Sequence, residues 1–578
     1  MMQLTRRLFL FLVLFAGCGK TGDMKQRRPI AYGAVVVAGV LLLQWSCALI
    51  SRSLRTGGQE QLKPVATATV AGGPRVIIFA LDGAGPDQLM AAIRSGKAPH
   101  IAALLGKERG SGLFEHAYAA PRALSILPSS TIAAWAAIFT GHPPASNGVT
   151  GDEWFVRETA TFYAPVPVSV LDTLDVTKVV NDDLLGKSLR VPTLYELLGR
   201  RSHVSLLYVH HGATLYTTLA PSSFVDIVGR LISGTMEGDD PENSLSAGLD
   251  LNSVQKLAEG IDAQGVPDLQ VVYFPGIDIF THVAKDRLEA QVRYLEDITD
   301  KAVGTVLETY RKKGALAGTY VIFISDHAHI PTLNDAQHKL GTDDEHSPFG
   351  LVTKSGFRVR RPLLTLGDLD KDYQAVLAYQ GFMAYVYLAD RSTCPNEHDP
   401  CDWTKPPRFH EDVMPVVTAF YEANRTGSPI PQLKDTIDLI FAREPVSAGR
   451  NTKPYEIFDG RKLVPIRDYL RAHPRPDLIR LEERMNALSA GPYGNRAGDI
   501  LLLARSCTNS PIEERYFFSA THHYTWHGSA CEMDGHIPFI LAQQGGSGER
   551  LRILMRKIGT DAPSAMILTP LVRALFGK

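Results

Sequence analysis

Seven short apolar runs, rich in β-branched and aromatic residues, alternate along this chain with segments of helical periodicity. The runs are residues 75–81, 203–209, 269–274, 320–324, 383–388, 499–503 and 537–542. A strand with one face in water alternates apolar and polar residues, whereas these runs are apolar at nearly every position. They therefore predict strands that are buried on both faces. Helical periodicity in 91–105, 193–199 and 286–312 supplies the crossovers that parallel strands require. The pattern predicts an α/β fold with a central, mostly parallel sheet.

The texture of the sequence divides the 578 residues into five stretches. Residues 1–50 hold two apolar runs, and residues 51–73 are small and polar, as in a tether. Residues 394–480 are rich in proline and charge, which predicts an insertion or cap. Because the candidate site residues run from Asp82 to His527, we expect 74–393 and 481–578 to form two parts of one catalytic domain.

The two N-terminal apolar runs make different predictions. Arg6 and Arg7 precede the run 8–17 and then Cys18, which is typical of a signal peptide with a lipoprotein-like ending. The second run, 29–50, carries no charge and is long enough to span a bilayer. If Cys18 were lipidated outside the membrane and the run 29–50 then crossed it, the body of the chain would return to the cytoplasm. We favour a start at Met24, with 24–50 as a membrane anchor or export signal and a periplasmic or other extracytoplasmic body in the cell envelope.

Four cysteines lie in the body of the chain, and none forms a C-x-x-C pair. The economical pairing is Cys394 with Cys401 and Cys507 with Cys531, which requires an oxidising compartment. The alternative is four unrelated buried thiols.

The charge balance excludes an obvious polyanion binder. Sixty lysine and arginine residues face 61 aspartate and glutamate residues, so there is no basic excess. We therefore expect no binding to a nucleic-acid polymer, and a small anionic ligand must be held in another way.

Aspartates and histidines follow the predicted strands at the points where functional groups collect in an open α/β sheet. Each residue alone is weak evidence for a functional site, because an aspartate at a strand end is most often a turn or helix cap. Two of them, Asp278 and His282, are four residues apart and face the same way on one helical turn. Such imidazole and carboxylate groups suit two zinc ions, and the full set is Asp82, Asp278, His282, Asp326, His327 and His527.

A hydroxyl group stands in front of an apolar segment with helical character. Ser129, Ser130 and Thr131 precede residues 132–141, and a helix N-terminus stabilises an alkoxide or a bound phosphoryl group. This pattern suits a nucleophile, with Thr131 first and Ser130 second. The alternative is a simple N-cap, for which all three residues are suited.

These pieces, in this order, resemble the type I phosphodiesterase/nucleotide pyrophosphatase family of the alkaline phosphatase superfamily and its threonine-nucleophile phosphomonoesterase relatives. The resemblance runs from Val76 to about Leu364, includes 383–388, and resumes over 498–545. It rests on Phe79-Ala80-Leu81-Asp82-Gly83, Thr131 nine residues before Thr140-Gly141-His142-Pro143-Pro144-Ala145-Ser146-Asn147-Gly148, Asp278 with His282, Ser325-Asp326-His327, and His527-Gly528-Ser529 followed by His536-Ile537-Pro538. It implies a three-layer α/β/α sandwich with an inserted cap region.

The resemblance also implies the roles of the site residues. One zinc is held by Asp278, His282 and His527, with His522 or His523 as the next candidates for the last ligand. The other zinc is held by Asp82, Asp326 and His327, with Thr131 as exchangeable ligand and nucleophile. Other divalent metals are compatible with these ligand types. The substrate is then a small phosphate ester, cleaved through a phosphothreonine.

Three departures from the family pattern bear on the substrate. Ala134 stands where nucleotide-cleaving relatives carry a phosphate-binding asparagine, and Asp152 stands where monoesterase relatives carry one. The monoesterase relatives also carry a Lys-x-Arg pair, and the corresponding positions of this chain fall at His210 and His211. We therefore assign Asp152, His210 and His211 to substrate binding and expect a diester, whose single charge needs less compensation than a monoester dianion. The alternatives are a phosphomonoesterase and a non-catalytic cell-envelope binding protein.

Overall fold

A computed structural model describes residues 73–170, 175, 178–179, 182–218, 230, 239–362, 372–447, 449–559 and 563–578. The predicted signal or anchor region 1–50 and almost all of the predicted tether 51–73 lie outside the described residues. Within the described part of the chain, no helix combines the length and apolarity needed to cross a membrane.

The described residues contain strands of two to six residues. In chain order they are β1 Val76–Leu81, β2 Glu108–Gly110, β3 Leu113–Phe114, β4 Ala117–Ala119, β5 Ala123–Leu124, β6 Trp154–Val156, β7 Thr161–Tyr163, β8 Ser202–Ser205, β9 Leu215–Thr217, β10 Leu269–Phe274, β11 Tyr320–Ile324, β12 Ile330–Pro331, β13 Lys339–Leu340, β14 Ala375–Tyr379, β15 Met383–Leu388, β16 Ile437–Ala442, β17 Glu456–Phe458, β18 Leu463–Pro465, β19 Ile500–Ala504, β20 Phe517–Phe518, β21 Thr525–Trp526, β22 His536–Ile537 and β23 Phe539–Gln543.

The central sheet has the strand order β2-β3-β4-β23-β11-β1-β10-β8-β9. Its core is parallel: β1 pairs with β10 and β11, and β10 pairs with β8, which pairs with β9. Val76, Ile78 and Ala80 pack into one apolar cluster, whereas the alternating residues of β1 pack into another on the opposite face. Burial on both faces explains why these runs are uniformly apolar, and the α/β prediction is confirmed.

The helices of the described residues connect the strands of the central sheet and of a second sheet described below. They are Pro86–Arg94, Pro99–Leu105, Thr131–Thr140, Pro144–Asn147, Leu184–Ser188, Leu194–Leu198, Leu245–Gln264, Gly276–Val283, Leu288–Tyr294, Asp300–Lys312, Pro348–Lys354, Met414–Thr426, Ile466–Ala472, Leu481–Ser489, Glu532–Gly535, Gly548–Ile558 and Leu568–Leu575. The helix predicted over 91–105 is two helices, because Pro99 begins the second one. A π-helical turn, Leu295–Thr299, interrupts the long helix predicted over 286–312.

A second sheet of six antiparallel strands has the order β14-β15-β19-β16-β17-β18. The runs predicted as strands at 383–388 and 499–503 belong to this sheet rather than to the central one. They are as fully buried as central strands, so their apolar pattern does not identify the sheet. Three of its strands, β16 to β18, lie within the predicted insertion 394–480, and the other three lie outside it.

Both cysteine pairs form the predicted disulfides. Cys394 bonds to Cys401 and Cys507 bonds to Cys531, which excludes the alternative of four unrelated thiols. The first bond closes a separation of 7 residues within one loop, and the second spans 24 residues between β19 and the helix Glu532–Gly535. The second therefore ties the segment that carries His527 to the antiparallel sheet.

Removing the two disulfides separately should lower the free energy of unfolding by different amounts. Because loop closure restricts the unfolded chain more for longer loops, Cys507→Ala with Cys531→Ala should cost about 3.5 kcal/mol, and Cys394→Ala with Cys401→Ala about 2.5 kcal/mol. Denaturant unfolding of the two double variants under non-reducing conditions measures the difference. Equal losses, or a larger loss for the shorter loop, would contradict this ranking.

Candidate metal and nucleophile site

Three adjacent parallel strands, β11, β1 and β10, end at the same edge of the central sheet. Asp82 follows β1 directly, and Asp326 and His327 follow β11. The strand β10 leads into the helix Gly276–Val283, which carries Asp278 and His282 on one face. Asp250 accepts the Gly276 backbone N–H at the start of this helix, at 3.1 Å, and so holds the helix in place.

The predicted ligands come together in one buried cluster, with one addition. His327 Nε2 lies 3.5 Å from Asp82 Oδ1 and 3.4 Å from Asp326 Oδ2. Asp278 Oδ1 lies 3.3 Å from His282 Nε2 and 3.6 Å from His527 Nε2. Three ligand groups result, which share Asp278 and His327: Asp82 with Asp326 and His327, Asp278 with His327 and His527, and Asp278 with His282 and His329.

His329 was missed by the sequence analysis. Its Nε2 lies 3.1 Å from Asp278 Oδ1, closer than that of any other histidine in the cluster. The structure thus groups His329, rather than His527, with Asp278 and His282. The alternation of histidines in Asp326-His327-Ala328-His329 was the available signal, since two histidines in that spacing place both rings near one strand end.

The histidine rings are held in the form that binds metal. The Nδ1 atoms of His282, His327 and His527 lie 2.7, 3.2 and 3.2 Å from backbone carbonyl oxygens, which only accept hydrogen bonds. Each Nδ1 is therefore the protonated nitrogen, and each Nε2 presents its lone pair to the cluster. Burial lowers the pKa of His327 to about 3, and it lowers the pKa of His527 well below its usual range, so both rings are neutral. The pKa of His282 is raised instead, because the charge and hydrogen bond of Asp278 outweigh its burial.

The carboxylates fit a cationic occupant. Asp82 Oδ1, Asp278 Oδ1 and Asp326 Oδ2 are buried and have no hydrogen-bond partner among the described residues. No lysine or arginine in the described ranges forms an ion pair with any of the three. Burial and mutual repulsion raise the pKa of both Asp82 and Asp326. Neutral imidazoles beside buried, unpartnered carboxylates are the donor set that divalent zinc prefers.

Gly83 is required at the centre of this cluster. Its φ is +68°, and a Cβ there would lie 2.5 Å from His329 Nε2 and 3.0 Å from Asp278 Oδ1. Its backbone N–H donates to Asp326 Oδ1 at 3.1 Å. Any side chain at this position would enter the space that the ligand atoms surround.

Thr131 is the first residue of the wholly buried helix Thr131–Thr140, and its Oγ1 lies 3.2 Å from His327 Nε2. Ser130 occupies the N-cap position, where its side chain makes no capping bond. Thr131 is therefore not the N-cap, and its hydroxyl faces the ligand cluster at the positive end of a helix dipole.

Asp152 accepts a hydrogen bond from a backbone N–H at this helix end. Its Oδ1 accepts the Ile132 N–H at 2.8 Å, a donor that a phosphoryl oxygen at the helix end would otherwise use. Burial raises the pKa of Asp152 to about 7, and the nearby charge of Asp278 contributes to the increase. A carboxyl whose pKa is about 7 thus lies at the helix end that begins with Thr131.

The second sheet supports both Asp152 and His527 through the turn between β14 and β15. Gln380 Oε1 accepts the Asp152 backbone N–H at 2.7 Å. Phe382 donates its backbone N–H to the His527 carbonyl oxygen at 3.1 Å. His527 Nδ1 in turn donates to the carbonyl oxygen of Ser129, two residues before Thr131. The antiparallel sheet therefore helps to fix the relative positions of His527 and Thr131.

His210 and His211 lie on the segment between β8 and β9, and their polar contacts include Asp183. His211 Nδ1 lies 2.5 Å from Asp183 Oδ2, and His210 Nε2 lies 3.8 Å from Asp183 Oδ1. The His210 ring stacks on Tyr216 at 3.7 Å between centroids. His522, a reserve candidate for the last ligand, lies against Asn334, and His523 Nε2 lies 3.1 Å from Thr521 Oγ1.

Comparison with known families decides the classification. The model of the type I phosphodiesterase / nucleotide pyrophosphatase family matches residues 76–387, more than half of the chain. The chain belongs to this family. The matched range contains Asp82, Thr131, Asp278, His282 and the Asp326 to His329 segment, whereas His527 lies beyond it. No curated protein shows significant sequence similarity to the chain.

Similar solved structures include one with a TM-score above 0.5, which supports the fold. A variant of the alkaline phosphatase PafA is 14% identical, with a TM-score of 0.51, over 88% of this chain and 97% of that one. Murine ectonucleotide pyrophosphatase / phosphodiesterase 5 is 12% identical, with a TM-score of 0.46, over 87% and 95% of the two chains. Phosphonoacetate hydrolase from Sinorhizobium meliloti 1021 is 15% identical, with a TM-score of 0.43, over 90% and 99%. This member of the type I phosphodiesterase family is a phosphoric ester hydrolase with an alkaline-phosphatase-like α/β fold.

Proposed function

We propose that the protein is a phosphodiesterase that uses two zinc ions and a covalent intermediate on Thr131. The observation that carries the proposal is the position of Thr131 Oγ1, 3.2 Å from His327 Nε2 and at the edge of a cluster of three aspartates and four histidines. Asp82, Asp326 and His327 would hold one ion, and Asp278 and His282 the other. Bound zinc supplies a lowered pKa for a coordinated hydroxyl and positive charge toward phosphoryl oxygens.

The reaction divides into two displacements at phosphorus. Thr131 Oγ1 forms a bond to phosphorus while the bond to the leaving alcohol breaks; the threonine proton is lost, and the alkoxide gains a proton from water. Water then forms a bond to phosphorus while the bond to Thr131 breaks, which restores the hydroxyl. The helix Thr131–Thr140 directs its positive end at the transferred group throughout.

The diester preference follows from the charge around the nucleophile. Ala134, one helical turn after Thr131, has no polar side chain, and Asp152 places a carboxyl where a phosphoryl oxygen would meet the helix. A diester carries one negative charge and a monoester dianion two, so the monoester meets more repulsion. His210 and His211, paired with Asp183, are proposed to bind the far side of the substrate rather than the transferred group.

The test is a comparison of esters with the zinc-loaded full chain. We expect kcat/KM for bis(p-nitrophenyl) phosphate to exceed that for p-nitrophenyl phosphate by at least about tenfold, which corresponds to about 1.4 kcal/mol of discrimination. The reverse ranking would favour the phosphomonoesterase. A zinc assay on the same sample provides the control, because the rates must be measured on protein that contains two zinc ions per chain.

Asp152→Asn should change the monoester reaction more than the diester reaction. Because the pKa of Asp152 is raised to about 7, its carboxyl is largely neutral below that pH and anionic above it. In the wild type, monoester kcat/KM should therefore fall as the pH rises through about 7; in Asp152→Asn this fall should disappear, and monoester turnover at pH 8 should rise about tenfold.

The diester serves as the internal control in that experiment, because a general structural defect would lower both reactions equally. A monoester pH profile that is identical in the wild type and Asp152→Asn would show that Asp152 does not face the phosphoryl group.

We further propose that the enzyme works outside the cytoplasm, in the cell envelope. Its two disulfides support an oxidising compartment. The membrane anchor or export signal at 24–50 rests on the sequence alone.

A further inference from the structure

We propose that His329 is a ligand of the metal ion held by Asp278 and His282, which adds a fourth imidazole to the two-metal site. The assignment rests on the proposed two-metal function. It adds a residue to the ligand set that the family resemblance implies, in which Asp278 and His282 are joined by His527 alone.

The distances around Asp278 suit a shared ion. His329 Nε2 and His282 Nε2 lie 3.1 and 3.3 Å from the same oxygen, Asp278 Oδ1. Two ligand atoms that each lie about 2.0–2.1 Å from one zinc ion in a tetrahedral site are about 3.3 Å apart. Both nitrogens therefore already lie at the separation from Asp278 Oδ1 that a single ion imposes, and the three atoms form one possible ligand group although their residues come from two different elements.

Thr525 fixes which nitrogen of His329 carries the proton. The Thr525 hydroxyl donates to the Thr281 carbonyl oxygen at 3.0 Å, so toward His329 it acts as an acceptor. His329 Nδ1 lies 3.0 Å from that hydroxyl oxygen and must donate to it. The lone pair of His329 is therefore on Nε2, the atom that faces Asp278. The carbonyl group of Thr525 binds His282 Nδ1 at 2.7 Å, so one residue orients both rings.

A cation between these atoms would satisfy both of them in a buried site. The His329 side chain has no exposed surface, and its Nε2 has no hydrogen-bond partner among the described residues. A nitrogen lone pair 3.1 Å from an equally unpartnered carboxylate oxygen, out of reach of water, is an unfavourable pair. A metal ion that binds both atoms removes the conflict.

His527 then lies between the two ions. Its ring stacks on His327 at 3.7 Å between centroids, and its Nε2 belongs with Asp278 and His327 in one ligand group. With His329 beside His282, the site contains four imidazoles, those of His282, His327, His329 and His527.

Proton NMR of the cobalt(II)-loaded full chain counts the bound histidines directly. Each imidazole bound through Nε2 contributes one strongly shifted Nδ1–H resonance, which disappears in D2O. We expect four such resonances in the wild type and three in His329→Gln. We also expect His329→Gln to bind one of its two cobalt ions at least about tenfold more weakly in competition with a chelator.

His523→Gln is the matched control. Its ring is also buried and lies 5.4 Å from that of His282, but its Nε2 contacts Thr521 Oγ1 and not the ligand cluster, so four resonances should remain. Three resonances in the wild type that fall to two in His527→Gln would show that His527 is bound, and would overturn the His329 assignment alone even if His329→Gln did not fold. A wild type that binds no stoichiometric cobalt would overturn the two-metal function, and the assignment with it.

Discussion

Thr131→Ala is expected to reduce diester turnover by at least about 10³-fold while both metal ions stay bound. Only the hydroxyl and the γ-methyl group are lost, and the aspartates and histidines of the cluster remain in place. The small side chain at the first position of a wholly buried helix leaves the fold intact. Steady-state kinetics and metal analysis on the same preparation measure the two quantities. Thr131→Ser, which keeps the hydroxyl, should retain turnover within about tenfold of the wild type.

Ser130→Ala is the matched control for this experiment. Ser130 is equally buried and adjacent, but it occupies the N-cap position, and its hydroxyl interacts with Asp152 and lowers the pKa of that carboxyl. We expect nearly unchanged turnover in Ser130→Ala. Loss of activity there, together with wild-type activity in Thr131→Ala, would transfer the nucleophile to Ser130.

Asp278→Asn is expected to lose at least one of two metal ions and to reduce turnover by at least about 10³-fold. Asp278 Oδ1 lies 3.1, 3.3 and 3.6 Å from the Nε2 atoms of His329, His282 and His527, so it is the shared oxygen of the cluster. An amide has the same shape but no negative charge, and it binds divalent ions weakly. Elemental analysis after dialysis against a weak chelator gives the metal count.

Asp250→Asn separates loss of charge at the ions from general damage to the same helix. Asp250 is also buried, and it accepts the Gly276 N–H at the start of the helix that carries Asp278. An asparagine oxygen can still accept that bond, so this variant should keep both ions. Two ions in Asp278→Asn, or an equal metal loss in Asp250→Asn, would show that Asp278 is not a ligand.

The strands of the central sheet were predictable where both faces are buried. The runs 269–274 and 320–324 match β10 and β11 residue for residue, because burial on both faces makes nearly every position apolar; the exception, Gln270, donates to backbone carbonyl oxygens. The same property made β15 and β19 look like central strands. Apolar content reports burial, and it does not report which neighbour a strand pairs with or in which direction. The antiparallel sheet was therefore outside the reach of the pattern.

The residue types and their order by themselves determined the α/β class and the family, and they predicted the disulfide pairs and most of the candidate ligands. A carboxylate or imidazole at a parallel strand end is a local feature, and strand ends at one sheet edge necessarily meet. Only the tertiary structure decided that His329 faces Asp278 and that Asp152 takes the Ile132 N–H. Both depend on contacts between residues far apart in the chain, such as Thr525 with His329, and side-chain orientation is set by such partners rather than by sequence neighbours.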